Sequence, residues 1–199
     1  MIKTLLTTAA FALGALQAFA GDAPMSFDVA EDHTRFVFAS QPVRESGMPA
    51  HGNPFVTQGY IYPAGTLKGS DAGVTEEGAP LYPDLVLGTW TCDGWFVGDG
   101  GDTQSGVWLV SRQIYAFDNG EVLITQGTEI ADVDLANARP ITGAIGAYAD
   151  IEGVVEQTLL GFTEHFGVNA RFQVVPTDEP AEIEEAALRD QMEDELFED

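Results

Sequence analysis

The most distinctive stretch of the chain is Leu87-Gly88-Thr89-Trp90-Thr91-Cys92-Asp93-Gly94-Trp95-Phe96, which places two tryptophans, the single cysteine and an aspartate in one run. In an extended strand alternate residues share a face, so Trp90 and Cys92 look one way and Asp93 the other. Two uses fit that pattern. Trp90 and Cys92 form part of a cavity wall with Asp93 as a polar contact on the opposite face, or they pack into a core with Cys92 as a small hydrophobe. A thiolate nucleophile would need a positive neighbour, and the local sequence offers none. Trp108 and Tyr115, on the next apolar stretch, join Trp90 and Cys92 as candidates for ligand contact.

Glu129 and Arg112 are the candidates for catalysis, because each is a charge inside an otherwise uncharged stretch. Burial of either would demand a partner. A carboxyl kept in an apolar cavity has a raised pKa and can serve as general acid or base. The alternative, and the expectation taken for Glu129, is an exposed surface charge. Arg112 lies seven residues before Asn119 and Glu129 ten after it, so a turn there does not set them directly opposite.

His33, His51 and His165 are scattered and lack ligand spacing, so no metal site is expected. Gly98-Asp99-Gly100-Gly101-Asp102 is a weak calcium loop or a plain solvent loop. The second reading is preferred, because one short acidic loop supplies too few oxygen ligands. No Gly-rich phosphate loop and no G-x-S-x-G elbow occurs, and no cofactor is expected.

The elements that must position these residues read as all-β. Strands are predicted at Phe27–Ala30, Thr34–Ser40, Phe55–Tyr62, Leu85–Val97, Val107–Phe117, Val122–Ala131, Arg139–Gly143, Gly153–Phe162 and Val168–Val175. They are short, rich in Val, Ile, Thr and aromatics, and bounded by Gly, Pro, Asn or Asp. Asp118-Asn119-Gly120 is the strongest hairpin signal and predicts a type I′ turn. Residues 41–54 and 63–83 read as long loops beside a site mouth. Eight or nine strands in about 150 residues predict one closed antiparallel barrel. In Val107–Phe117 one face carries Leu109, Ser111, Gln113 and Tyr115, and the other Trp108, Val110, Arg112 and Ile114. Both are mostly apolar, so the outside of the barrel is expected to be covered by loops, the tail or another subunit.

Composition bounds the partners. The 199 residues hold 32 acidic and 8 basic side chains, a formal charge of −24. Binding to a phosphate backbone depends on clustered Lys and Arg, so no nucleic-acid partner is expected. Residues 1–20 read as a signal peptide: Lys3, an apolar stretch from Leu5 to Leu16, and a small-x-small cleavage site at Ala18-Phe19-Ala20. That apolar stretch is shorter than the roughly 20 residues that span a bilayer. The expectation is therefore a secreted or periplasmic protein, with no membrane association after cleavage. Residues 21–176 form the barrel domain and residues 177–199 an acidic tail, with 11 acidic residues against Arg189 alone. Leu188, Met192 and Leu196 recur every fourth residue and predict a helix over 180–197. The tail is a solvating appendage or a partner-binding segment, the first being preferred.

The order Tyr115-Ala116-Phe117-Asp118-Asn119-Gly120-Glu121, Thr125-Gln126-Gly127, then Ile141-Thr142-Gly143-Ala144-Ile145-Gly146-Ala147-Tyr148-Ala149-Asp150-Ile151-Glu152-Gly153 resembles the allene oxide cyclase and dirigent barrel superfamily. The resemblance covers residues 55–175. It departs at Ala144, where the family has a second glycine, and over residues 21–54. It implies an eight-stranded antiparallel barrel with an apolar cavity, commonly a homo-trimer. Its members cyclise, couple or steer small reactive molecules without a cofactor. Gly143, Gly146 and Gly153 are then fold markers, needed where the chain turns or passes close to another backbone. The function expected is binding of a small apolar or aromatic molecule, with cyclase or isomerase activity. The alternatives are a lipocalin-like carrier without turnover and a structural oligomer with a filled barrel.

Overall fold

The computed structural model describes residues 24–177. Nine strands are present among them: β1 (Ser26–Glu31), β2 (Val37–Phe38), β3 (Pro54–Pro63), β4 (Gly88–Phe96), β5 (Val107–Phe117), β6 (Val122–Ile130), β7 (Ala136–Ile145), β8 (Gly153–Phe162) and β9 (Val168–Pro176). β3 to β9 pair in sequence order, and β1 pairs with both β9 and β3. That double pairing closes an eight-stranded antiparallel barrel, with β2 as an extra two-residue strand on β3. Closure removes the free edges that an open sheet would leave. The signal peptide and the helix predicted over 180–197 lie outside the described residues.

Strand alternation sets what faces inward. On β5 the buried residues are Leu109, Ser111, Gln113, Tyr115 and Phe117. On β4 they are Gly88, Trp90, Cys92, Gly94 and Phe96, with Asp93 on the outer face. Gly94 is an inward position that only glycine fits, since an added Cβ would stand 2.1 Å from the Val110 carbonyl oxygen of the neighbouring strand.

Three expectations need correction. The stretch Thr34–Ser40 is not one strand. A 3-10 turn at His33–Arg35 interrupts it, because Asp32 caps that turn by accepting from the Thr34 N–H at 3.0 Å and its hydroxyl at 2.6 Å. The hairpin at residues 118–120 is present, but only Gly120 has positive φ, at 91°. The loop is a three-residue type with Gly120 in the left-handed position, not a two-residue I′ turn. β7 also begins three residues before Arg139 and ends at Ile145, so Gly143 lies within the strand and Gly146, at φ 76°, makes the turn.

The outer face is partly covered. Residues 64–87 fold back over β1 and β3, and Leu67 and Val74 pack on Ala30 and Tyr62. Buried Asp28 fastens this loop: it accepts from the N–H groups of Gly65 and Leu67 and from Arg171 Nε at 2.8 Å. Elsewhere the sheet is bare, and Trp95 points outward at 55% exposure. It therefore takes no part in the core, unlike Trp90 in the same strand.

Candidate functional site

The two ends of the barrel are built differently. At one end Phe27, Tyr115, Phe117 and Phe172 pack with ring centroids 5.0–5.5 Å apart, and Tyr148 lies across Phe117 at 5.7 Å. Tyr148 is fully buried and donates its hydroxyl to the Pro24 carbonyl at 2.7 Å. This end is sealed. At the other end a cavity of about 520 Å³ runs inward from a mouth at Met48, Gly101, Thr103, Val133, His165 and Phe166. Its walls include Phe55, Trp90, Phe96, Trp108 and Phe172.

A polar layer separates the two regions. Glu129, buried on β6, accepts from Ser111 Oγ, from Gln157 Nε2 at 2.8 Å and from Cys92 Sγ at 3.5 Å. Arg139 on β7 is its counter-charge, with Nη1 3.9 Å from Oε1. The guanidinium is fully buried and donates to Thr125 Oγ1, the Thr128 carbonyl and both oxygens of Ser111 at 2.8–3.2 Å. Gln113 extends the layer by donating to Gln157 at 2.9 Å and accepting from Trp90 Nε1 at 3.3 Å. Such a network is stable only because its charged members are paired and bonded.

A second carboxyl enters the same cavity without a basic partner among the described residues. Glu31, the last residue of β1, is 4% exposed and lines the wall. One oxygen accepts from the Val168 N–H at 2.8 Å, and the other makes no hydrogen bond among the described residues. Burial pushes its pKa up to about 7, with a smaller push from the charge of Glu129. The Thr57 hydroxyl stands beside this carboxyl and opposes the rise, yet finds no partner at hydrogen-bond geometry. Burial also pushes the Cys92 thiol well up, and the Glu129 charge adds to that. Cys92 is thus a neutral thiol and a weak donor, not a thiolate.

The fold distributes the sequence candidates unevenly. Trp90, Cys92, Trp108 and Glu129 all line the cavity. Glu129 is not the surface charge expected of it. Tyr115 lies in the aromatic seal beneath the polar layer. Arg112 is on the outer face, where it donates to Asp93 at 2.8 Å, because strand alternation turns it away from Ser111 and Gln113. Alternation alone would also send Trp108 outward. A bulge between Val107 and Leu109 re-aims it toward Phe96 and Phe162, at 5.9 and 5.8 Å.

Sequence reasoning missed Glu31, Thr57, Arg139, Gln157 and the pairing of His33 with His165, whose rings stack at 4.7 Å at the cavity. One signal was present for Arg139: like Glu129, it is a charge within a strand and on its inward parity. Asp99 and Asp102 of the glycine-rich loop are held by Arg44 at 3.1 and 2.6 Å, which ties residues 41–53 to the mouth.

The chain is a closed barrel, sealed at one end and open to an aromatic cavity at the other. Its particular type is the dirigent-like barrel. A pterocarpan synthase dirigent protein superposes with a TM-score of 0.53 at 12% identity, over 75% of this chain and 90% of that one. A pyocyanin demethylase aligns at a TM-score of 0.47 and 12% identity, over 76% of this chain and 98% of the other. No protein-family model and no curated protein sequence matches the chain. The resemblance read from residues 115–153 therefore holds at the level of the fold.

Proposed function

We propose that this protein is an exported barrel that takes a small apolar or aromatic molecule into its cavity and isomerises or cyclises it without a cofactor. The observation that carries this reading is the joint lining of one open cavity by Trp90, Trp108 and two carboxyls, Glu31 and Glu129. Aromatic walls exclude water and fix the orientation of a flat ligand. An acid whose pKa is held near neutrality can give or take a proton there. Glu31, at about 7, meets that requirement. Glu129 holds the polar layer together beside it.

One observation favours a carrier without turnover as the second reading. Both oxygens of Glu129 are already engaged by Ser111, Cys92 and Gln157. Native mass spectrometry of the protein purified from the exported fraction tests the primary reading. The expected result is a chain shortened by residues 1–20 that carries a bound small molecule and associates as a trimer. An empty monomer that takes up no aromatic probe overturns it. A bound molecule recovered unchanged after prolonged incubation favours the carrier.

A further inference from the structure

The walls of the cavity carry carboxyls but no Lys or Arg among the described residues. Arg139 stands behind Glu129 and compensates it. Glu31 has no such partner among the described residues, and its carboxyl lines the cavity beside the Thr57 hydroxyl. Thr57 is 2% exposed and without a hydrogen-bond partner. A buried hydroxyl left unmatched costs free energy, so this one marks a place where a ligand group completes the bonding. Trp90 and Phe55 of the same wall present aromatic faces, whose quadrupole attracts a cation.

We propose that the ligand of this cavity is a protonated amine carried on an apolar or aromatic body, with its ammonium group bound between Glu31 and Thr57. This deepens the reading of the barrel as a small-molecule cavity and rests on it. The ammonium donates one N–H to the free oxygen of Glu31 and another to Thr57 Oγ1, which supplies both missing bonds. Pairing with the carboxylate offsets the desolvation of the charge, as a neutral or anionic group would not. The formal charge of −24 on the chain favours cations over anions as partners.

The pairing has a pH signature. Glu31 must be ionised to bind an ammonium, and burial keeps it protonated up to about pH 7. Charged and titratable groups near it are Glu129 on β6, Cys92 on β4 and the adjacent Asp32, itself paired with Arg35 at 3.1 Å. His33 and His165 line the same cavity. Amine affinity falls about tenfold for each unit below pH 7 and levels off above it. An aliphatic amine stays protonated throughout that range.

The test is titration of the whole exported protein with 1-naphthylmethylamine, its neutral counterpart 1-naphthalenemethanol and the anion 1-naphthoate, followed by calorimetry from about pH 5 to about pH 8. At the upper end the amine is expected to bind at least about tenfold more tightly than the alcohol, with the anion weakest. Glu31→Gln, an isosteric change, is expected to abolish both the amine preference and its pH dependence, and Thr57→Val to reduce the preference. The pH profile of the unaltered protein stands even where a variant fails to fold. Binding of the alcohol with no preference for the amine overturns the inference and leaves the cavity reading in place. A preference unchanged in Glu31→Gln also overturns it. No binding of any of the three overturns both.

Discussion

The sealed and open ends of this barrel are made from the same strands and the same residue types, yet they do opposite things. At the sealed end every inward aromatic meets another, and the one polar atom of Tyr148 is satisfied by the Pro24 carbonyl. At the open end Phe36, Phe55, Phe96, Trp108 and Phe162 also touch, with centroids 5.3–6.4 Å apart, but they do so around about 520 Å³ of space. Four polar atoms of the lining, on His33, Thr57, Thr103 and Trp108, are buried without partners among the described residues. The difference teaches that packing completeness, rather than hydrophobicity, separates a filled core from an open cavity. Native interiors leave few polar atoms unpaired, so their concentration at one end sets that end apart from the packed one.

The largest effect is expected from breaking the seal. Phe172→Ala removes a ring that touches Phe27 and Tyr115, and a loss of about 3–5 kcal/mol is expected by denaturant unfolding. Phe166→Ala at the mouth, where the ring is 80% exposed, is expected to change stability by less than about 0.5 kcal/mol. Equal costs at the two sites would break the comparison.

The polar layer comes next. Arg139→Met leaves Glu129 as a buried charge without its counter-charge, and a loss of about 3–5 kcal/mol is expected. The double variant with Glu129→Gln is expected to recover much of it, as a double-mutant cycle in unfolding free energy would read. Simple additivity would show that the two groups do not compensate one another.

Glu31 sharpens the comparison through pH. Its folded pKa of about 7 exceeds the ordinary carboxyl value of 4.5, so the native state holds a proton that the unfolded state releases first. Its contribution to stability is complete below pH 4.5 and is lost as pH rises through about 7. By linkage the loss amounts to about 3 kcal/mol. Glu31→Gln is expected to remove this slope, making the variant more stable than the parent at about pH 8 in urea melts. A slope that survives the substitution would assign it to another group.

A small effect is also expected at Trp108. Its indole N–H finds no partner among the described residues, so Trp108→Phe is expected to cost less than about 1 kcal/mol in thermal unfolding. Binding of an oxygen-bearing aromatic probe is expected to weaken all the same. A large loss of stability with unchanged binding would place Trp108 in the core rather than the site.

Much of the fold was legible because strand signals are local. Alternation, glycine and proline punctuation and the Asn119-Gly120 turn lie within short windows, and the barrel follows from eight such strands. A small part of the cavity wall was legible in the same way, since Trp90 and Cys92 share a strand face. Arg112 shows where local reading fails. As a lone charge in a strand it is indistinguishable from Arg139, and only the direction in which the barrel curls sends one outward to Asp93 and the other inward to Glu129.

What the sequence determined by itself is the alternation of each strand, the closure of an all-β chain into a barrel and the acidity of its surface. These depend on neighbours a few residues apart. The tertiary structure alone decided which face became the interior, how a bulge turned Trp108 inward, and that Glu31 would share a cavity with a glutamate 98 positions away. Those outcomes depend on strand register around a closed ring, where a shift of one residue exchanges every inside for an outside.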